Sequence, residues 1–311
     1  MPPKIGVMPK HLTFLLDGED ELDHESAQFA AHGLPHELYL LGQSFALGAA
    51  LAGKQALGQD ELICIEPIHL HATRDHLVLL QLDAFNIAAD DLKQLMNEAS
   101  AVFMDEGLGP LTQVTPFQWL GKTKLFKTLH THSAAQAQGR NIDWWLPKDT
   151  KELGLAKRWR RIQNEVQMRW HIHPINQARE ERGLPTVNSI WLSGIGNQAD
   201  LQFASELTGT QQIISDKPWM PKLAENLNIQ LIDTWPSQTE LLANTNFIWH
   251  SQAKDIWSSI SRLLIEDDLE VELIDFKKSL RKRRFRSADF RTHPLAFWRK
   301  AQPPSWEELI A

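Results

Sequence analysis

The sequence lacks a second cysteine, since Cys64 is the only one in 311 residues. A single thiol excludes an internal disulfide and is typical of a protein from a reducing compartment. The sequence also lacks an apolar run of the roughly 18 residues that a membrane span requires. Its N-terminal region, acidic between residues 17 and 25, does not have the layout of a signal peptide. We therefore expect a cytoplasmic protein that does not enter the membrane.

Nucleotide-binding motifs are also missing. Gly194 and Gly196 have no third glycine at the dinucleotide spacing, and no Lys-Ser/Thr pair follows them. Ser193 lacks the Gly-x-Ser-x-Gly surroundings of a hydrolase nucleophile. The sequence therefore predicts neither a nicotinamide site nor a P-loop, and we expect no cofactor.

Acidic residues are nearly absent from residues 277–300, which contain ten Lys and Arg residues and a single acidic residue, Asp289. The whole chain, in contrast, has a net charge of −7. A basic run with interleaved aromatic side chains can bind RNA, DNA or an anionic surface. The alternative is a strand and a helix that fold back on the acidic remainder of the chain, with Phe297 and Trp298 buried locally. We expect this second arrangement, and therefore do not expect nucleic acid as a partner.

Hydrophobic patterning predicts a small antiparallel unit in the first half of the chain. Residues 11–16 read as a buried strand that ends before Asp17 and Gly18. Alternation in residues 62–72 and 76–82 predicts a hairpin, and an apolar stripe predicts a helix over 88–104. Together with the strand-like residues 110–126, these elements indicate a separate α+β domain.

The second half of the chain has the pattern of a parallel sheet. A helix is predicted over residues 154–171, and strands recur at 188–193, 211–215, 229–233, 246–250 and 271–275. Helical stretches between most of these strands imply right-handed crossovers. We therefore expect an α/β core made of residues 1–58 and 151–311, with residues 59–150 as an inserted α+β domain and linker.

Residues 173–196 contain the predicted binding site. His173 and Pro174 suit the start of a helix and Gly183 its end. Asn176 and Arg179 share one face of that helix, and the forked guanidinium of Arg179 could hold a phosphate or carboxylate. The predicted ligand-binding residues are His173, Asn176, Arg179, Asn188, Gly194 and Gly196. The alternative is architectural, with the two asparagines as caps and Arg179 paired with Glu180 or Glu181.

Three His-x-His pairs are the possible metal ligands: His69 and His71, His130 and His132, and His171 and His173. On a strand, the two members of such a pair face the same side, as metal ligation requires. No carboxylate cluster at ligand spacing accompanies any of the pairs. We therefore expect ordinary hydrogen-bonded histidines and no bound metal.

The segment from His173-Pro-Ile-Asn176 through Arg179, Gly183, Pro185 and Asn188 to Gly194-x-Gly196 resembles that of the archaeal-type cofactor-independent phosphoglycerate mutases. The chain is more similar still to uncharacterised bacterial proteins related to these mutases, with segments like Glu66-Pro-Ile-His-Leu70 and Asn164-Glu-Val-Gln-Met168. The resemblance covers residues 60–300. It implies an alkaline-phosphatase-like core with a mostly parallel sheet flanked by helices, an inserted α+β domain, two divalent metals and a serine that is phosphorylated.

The chain departs from the mutases at their metal ligands. Asp17 matches the first aspartate, but the Gly-Asp-Arg that should continue the motif is Glu19-Asp-Glu21. Ser44 is the only candidate nucleophile and Asp255 a candidate later ligand, while the final Gly-Asp-His-Ser/Thr motif is absent. We therefore expect a regulatory or phosphometabolite-binding protein that takes a phosphorylated or carboxylate small molecule.

Two alternatives remain open. One is an active phosphoglycerate mutase, or a related phosphoryl-transfer enzyme, with a relocated site. The other is nucleic-acid binding through residues 277–300. The sequence makes no prediction about the oligomeric state.

Overall fold

The computed structural model describes residues 10–20, 30–53, 60–82, 85–235, 246–290 and 302–311. The strands within these ranges are β1 (Lys10–Leu15), β2 (Leu62–Ala72), β3 (Leu77–Gln81), β4 (Thr112–Gln113), β5 (Trp119–Lys122), β6 (Leu129–His130), β7 (Lys148–Asp149), β8 (Ser189–Gly196), β9 (Gln212–Ile214), β10 (Gln230–Ile232), β11 (Asn246–Ile248), β12 (Leu269–Asp275) and β13 (Arg281–Arg286).

The α-helices within the same ranges are α1 (Pro35–Leu41), α2 (Leu47–Ala52), α3 (Ala89–Asp105), α4 (Ala134–Ala137), α5 (Leu155–His171), α6 (Pro174–Glu181), α7 (Ser205–Thr208), α8 (Met220–Leu227), α9 (Ala253–Glu266), α10 (Ser287–Phe290) and α11 (Trp306–Ile310). Short 3₁₀ helices cover Ile142–Trp144 and Gln198–Asp200. None of the helices in the described ranges has both the length and the apolar character that crossing a membrane requires.

The chain divides into two compact units. The first, which we call the parallel-sheet unit, comprises Met1–Glu19, Ser205–Met220 and Leu227–Ala311. The second, the antiparallel-sheet unit, comprises Asp20–Ala204 and Pro221–Asn226. The predicted boundaries after residues 58 and 150 differ from these, since residues 20–58 and 151–204 both fall in the antiparallel-sheet unit.

The parallel-sheet unit contains a sheet with the strand order β10-β9-β11-β1-β12-β13. All neighbours are parallel except β12 and β13. Helix α9 covers one face, where the ring of Trp257 stacks on that of Phe14 with centroids 6.3 Å apart. The predicted α/β class with a mostly parallel sheet is therefore confirmed, as are the strands predicted at 211–215, 229–233, 246–250 and 271–275.

The antiparallel-sheet unit is built around the long strand β2. Strands β3 and β5 pair with β2 on one edge, as the predicted hairpin requires, and β8 pairs with it on the other. The strand predicted at 188–193 exists, but its expected place in the parallel sheet is wrong, since Trp191 lies opposite Glu66 of β2. Helix α5 buries Trp159, Ile162, Val166 and Trp170 in the core of this same unit.

Candidate functional site

The start of helix α6 forms as the sequence predicts. His173 is the N-cap, and its Nδ1 accepts the N–H of Ile175 at 3.2 Å, while Pro174 occupies the first turn. The Nε2 atom of His173 lies 3.6 Å from a carboxylate oxygen of Glu98. Gly183, with φ of +67°, follows the helix and takes the left-handed conformation that glycine tolerates best. His173 is therefore engaged on both ring nitrogens within the fold.

Asn176 and Asn188 each use both ends of the carboxamide to bond the backbone N–H and C=O of one residue. The side chain of Asn176 accepts the N–H of Val187 at 2.9 Å and donates to its carbonyl at 2.8 Å. The side chain of Asn188 accepts the N–H of Leu70 at 2.6 Å and donates to its carbonyl at 2.9 Å. We call these two arrangements the carboxamide clamps. They satisfy the N–H and C=O groups of Val187 and Leu70, which are not bonded by a described neighbouring strand.

Arg179 is buried, with 2% of its surface exposed. Its Nε donates to the carbonyl of Pro185 at 2.7 Å and its Nη2 to that of Phe85 at 3.0 Å. Burial lowers the pKa of this guanidinium. The donors of Arg179 are therefore used on backbone carbonyls of the chain, and the alternative of a pair with Glu180 or Glu181 is wrong.

Gly194 and Gly196 pack against the segment that contains α2. A Cβ on Gly194, whose φ is +61°, would stand 2.8 Å from the Cβ of Leu47, and one on Gly196 would stand 2.8 Å from the Cβ of Ala46. The two glycines thus permit a close approach between β8 and its neighbours. The polar side chains of the predicted ligand residues are thus bonded inside the chain. Asn176 and Asn188 line one cleft, whereas Gly194 and Gly196 pack against the segment that contains α2.

The histidine pairs occupy ordinary hydrogen-bonded positions. The rings of His69 and His71 lie 6.0 Å apart on β2, and Nδ1 of His69 bonds the carbonyl of Thr186 at 2.7 Å. Burial lowers the pKa of His69, which the hydrogen bond to Thr186 opposes. His171 is exposed at the end of α5, whereas His173 is the N-cap of α6.

The pair His130 and His132 belongs to a buried cluster with His32. Ring centroids lie 4.4 Å apart between His32 and His130, and 4.7 Å apart between His130 and His132. Nδ1 of His132 lies 3.1 Å from the carbonyl of Ala31. Burial, and then the neighbouring His130, lower the pKa of His132 to about 4. Burial therefore favours the neutral form of His132.

The strand order of the parallel sheet indicates a different candidate ligand-binding region. Strands β9 and β11 are neighbours, but the chain leaves β9 toward β10 on one side and leaves β11 toward β12 on the other. In open parallel sheets, ligands bind beyond the carboxyl ends of the strands at such a reversal. Asp216 follows β9, His250 follows β11, and Asp17 follows the next strand, β1. We call this region the carboxyl edge.

Asp17 at the carboxyl edge is paired with a lysine. Its Oδ2 lies 3.1 Å from Nζ of Lys217, and its Oδ1 accepts the indole N–H of Trp249 at 2.6 Å. The Lys217 ammonium also lies 5.0 Å from the centroid of the Trp249 ring, within range of a cation–π interaction. Because its side chain is only 19% exposed, Lys217 is a largely buried positive charge.

Asp216 joins the turn after β9 to the turn after β11. Its carboxylate accepts the N–H of Ser251 at 2.9 Å and the hydroxyl of the same residue. Nδ1 of His250 lies 3.5 Å from this carboxylate and accepts the N–H of Gln252. Burial opposes ionisation of Asp216, but the bonds from Ser251 and the nearby His250 and Lys217 outweigh it and lower the pKa.

The residues at the carboxyl edge were only partly predicted. Asp17 was identified as a strand-end aspartate, and His250 as the end of a strand. Asp216, Lys217 and Trp249 were missed. A signal was present, because Asp216 and Lys217 follow the strand predicted at 211–215 and Trp249 lies at the end of the one predicted at 246–250. Parallel strands end at one edge of the sheet.

The two metals implied by the resemblance do not fit these residues. Two metals need about six carboxylate and histidine ligands converging on one point. Among the described residues, no group of three or more His, Cys, Asp or Glu side chains is placed to hold a metal ion. At Asp17 the paired cation is the ammonium of Lys217. Ser44 lies exposed in the turn between α1 and α2, and Asp255 lies exposed in the first turn of α9.

The basic segment pairs with acidic residues of its own sheet. Every arginine of β13 bonds an acid of β12: Arg281 and Arg283 bond Asp275 at 2.5 and 2.8 Å, and Arg284 and Arg286 bond Glu270 at 3.2 and 3.0 Å. The predicted folding back of the segment is confirmed for β13. Phe297 and Trp298 lie outside the described residues.

Comparisons with known proteins give distant matches. No protein-family model matches the sequence, and no curated protein matches it. The fold is similar to that of the PH0037 protein from Pyrococcus horikoshii, with 12% identity and a TM-score of 0.40 over 86% of this chain and 82% of that chain. It is also similar to that of the cofactor-independent phosphoglycerate mutase from Thermoplasma acidophilum, with 12% identity and a TM-score of 0.33 over 86% of each chain.

Proposed function

We propose that this chain is a phosphoglycerate-mutase-like protein with an alkaline-phosphatase-like core that binds a small phosphorylated or carboxylate metabolite without two-metal catalysis. The binding site is the carboxyl edge of the parallel sheet. The observation that carries the proposal is the largely buried ammonium of Lys217, which is held between Asp17 and the ring of Trp249. This role replaces the one predicted for Arg179, whose donors serve the fold.

The carboxyl edge favours an anion for two reasons. Lys217 supplies a fixed positive charge that is poorly solvated, and a partly buried charge interacts more strongly than one in water. Helix α9 begins directly beyond His250, so the N–H groups of its first turn add partial positive charge. A ligand carboxylate or phosphate can replace the carboxylate of Asp17 at Lys217, because the Asp17 side chain is half exposed and can turn toward water.

The binding function agrees better with the described residues than catalysis does. A mutase of this type needs its ligands assembled around two metals, and the described residues lack such an assembly. Nucleic-acid binding through β13 is also disfavoured, because its arginines already bond Glu270, Glu272 and Asp275. These observations support our proposal of a regulatory protein that senses a phosphorylated metabolite.

Titration with 3-phosphoglycerate tests the site. We expect Lys217→Ala to weaken binding in isothermal titration calorimetry by about tenfold or more, because a charged hydrogen bond contributes about 1.5–3 kcal/mol. Lys10→Ala is the matched control, since Lys10 is exposed at the start of β1, at the opposite edge of the same sheet. Equal affinity of the two variants, or no binding to the unmodified protein, would refute the proposal.

A catalytic assay separates binding from turnover. We expect no interconversion of 2-phosphoglycerate and 3-phosphoglycerate after addition of Mn²⁺ or Mg²⁺, because the described carboxylates and histidines do not converge on a metal position. The measurement is an enzyme-coupled assay on the full chain. Metal-dependent turnover that disappears in Ser44→Ala would show an active mutase instead.

A further inference from the structure

An open cleft lies beside helix α5 in the antiparallel-sheet unit. Its volume is about 590 Å³, within the range of ligand-binding pockets. Leu70 of β2, Leu77 of β3 and Met168 of α5 form its apolar wall. The side of Met168 toward solvent is open, since 62% of the residue is exposed. The cleft therefore presents an apolar surface that a side chain from outside can reach.

The charge of the residues that line the cleft favours a cationic ligand. Glu180 is the only carboxylate among the lining residues, and none of them is Lys or Arg. Apart from the exposed His171, the lining offers no side chain that can carry a positive charge, and Glu180 would repel a phosphate or carboxylate. The cleft thus suits a different class of ligand from the one proposed for the carboxyl edge.

The polar lining consists mainly of carboxamides, which match the donors and acceptors of a peptide bond. Asn164, Gln167, Asn176 and Asn188 all line the cleft. The carboxamide clamps show that two of them already bind peptide units, those of Val187 and Leu70. Gln167 uses its amide N–H on the hydroxyl of Ser189, which leaves its carbonyl oxygen as an acceptor.

The edge of β2 at the cleft is only partly covered. The ladder between β2 and β8 ends at the pair Ile68 and Ser189, although β2 continues to Ala72. Asn188 takes the place of a strand at Leu70. Because the backbone groups of a strand alternate in direction, those of Ala72 face the same side as those of Leu70. An extended peptide can therefore add to this edge beyond Asn188.

From these observations we propose that the cleft binds an extended peptide segment of a partner protein that carries one apolar and one basic side chain. The apolar side chain packs between Leu70, Leu77 and Met168. The basic side chain pairs with Glu180. The peptide backbone lies along the end of β2 and bonds the carboxamides of Asn164 and Gln167.

Two matched peptides test the class of ligand. The probes are acetyl-Arg-Leu-Val-Leu and acetyl-Glu-Leu-Val-Leu, each with a C-terminal fluorophore, and the measurement is fluorescence anisotropy with the full chain. We expect the arginine peptide to bind about tenfold more tightly than the glutamate peptide, because the lining carries a single negative charge. Equal affinities, tighter binding of the glutamate peptide, or no binding of either at millimolar concentration would each overturn the proposal.

Surface variants locate the binding site without disturbing the core. Glu180→Gln should weaken binding of the arginine peptide about fivefold, whereas Glu181→Gln, on the adjacent exposed residue, should leave it unchanged. Met168→Asp should weaken binding of both peptides, while Ile172→Asp, at another exposed residue, should not. Equal losses in a variant and its control would place the peptide elsewhere. Thermal unfolding of all four variants should match that of the unmodified protein.

Discussion

Replacing Arg179 by alanine should lower the free energy of unfolding by about 4 kcal/mol. The side chain is 2% exposed, and its guanidinium bonds the carbonyls of Pro185 and Phe85, which belong to two segments distant in sequence. Its removal leaves these acceptors without donors and creates a cavity. Urea unfolding followed by circular dichroism measures the change.

Two further variants test whether the loss of stability comes from the buried guanidinium of Arg179. Arg179→Lys should cost more than half as much as Arg179→Ala, because an ammonium keeps the charge but cannot reach both carbonyls as the fork does. Arg182→Ala should change stability by no more than about 0.5 kcal/mol, since Arg182 is exposed and bonds only the carbonyl of Ala178 in the described structure. A loss at Arg179 as small as that at Arg182 would contradict the buried position.

Acidification from pH 6.5 to pH 4 should cost the protein about 3 kcal/mol of stability through His132 alone. Burial and the nearby His130 lower the pKa of His132 from 6.5 to about 4 in the folded state. The unfolded chain therefore takes up a proton first as the pH falls below 6.5. The stabilisation is fully present above that pH and is lost progressively down to about pH 4.

The contribution of His132 is measured as a difference between variants. His132→Leu should flatten the dependence of unfolding free energy on pH between 6.5 and 4, relative to the unmodified protein. His171→Leu serves as the control because His171 is exposed, and it should keep the original slope. His32 and His130, the other members of the cluster, are present in both proteins. An unchanged slope in His132→Leu would show that protonation of this ring is not coupled to folding.

Local sequence patterns predicted most of the helices and strands but not how the strands pair. The helix over 154–171 and the strand at 188–193 were expected and were found. Their assignment to the core that contains the parallel sheet was wrong, because it was inferred from the regular spacing of strands and helices. The pairing of β8 with β2 depends on residues about 125 positions apart, such as Glu66 and Trp191, and no periodicity encodes such a contact.

The roles of the candidate-site residues also could not be predicted from the sequence alone. Asn176, Arg179 and Asn188 were predicted as ligand residues because Asn176 and Arg179 share a helix face and because the segment resembles that of the mutases. In the fold they satisfy backbone groups, an equally strong requirement that sequence alone does not separate from binding. Lys217 and Asp17 are 200 positions apart, so only the assembled sheet brings them together.

The carboxamide clamps impose an order on the assembly of the chain. The clamp of Asn176 on Val187 spans 11 positions, whereas that of Asn188 on Leu70 spans 118. Loop-closure entropy makes the longer connection costlier by about 2 kcal/mol. The turn after α6 can therefore close while the chain is still largely unfolded, but its attachment to β2 waits for the sheet to collapse.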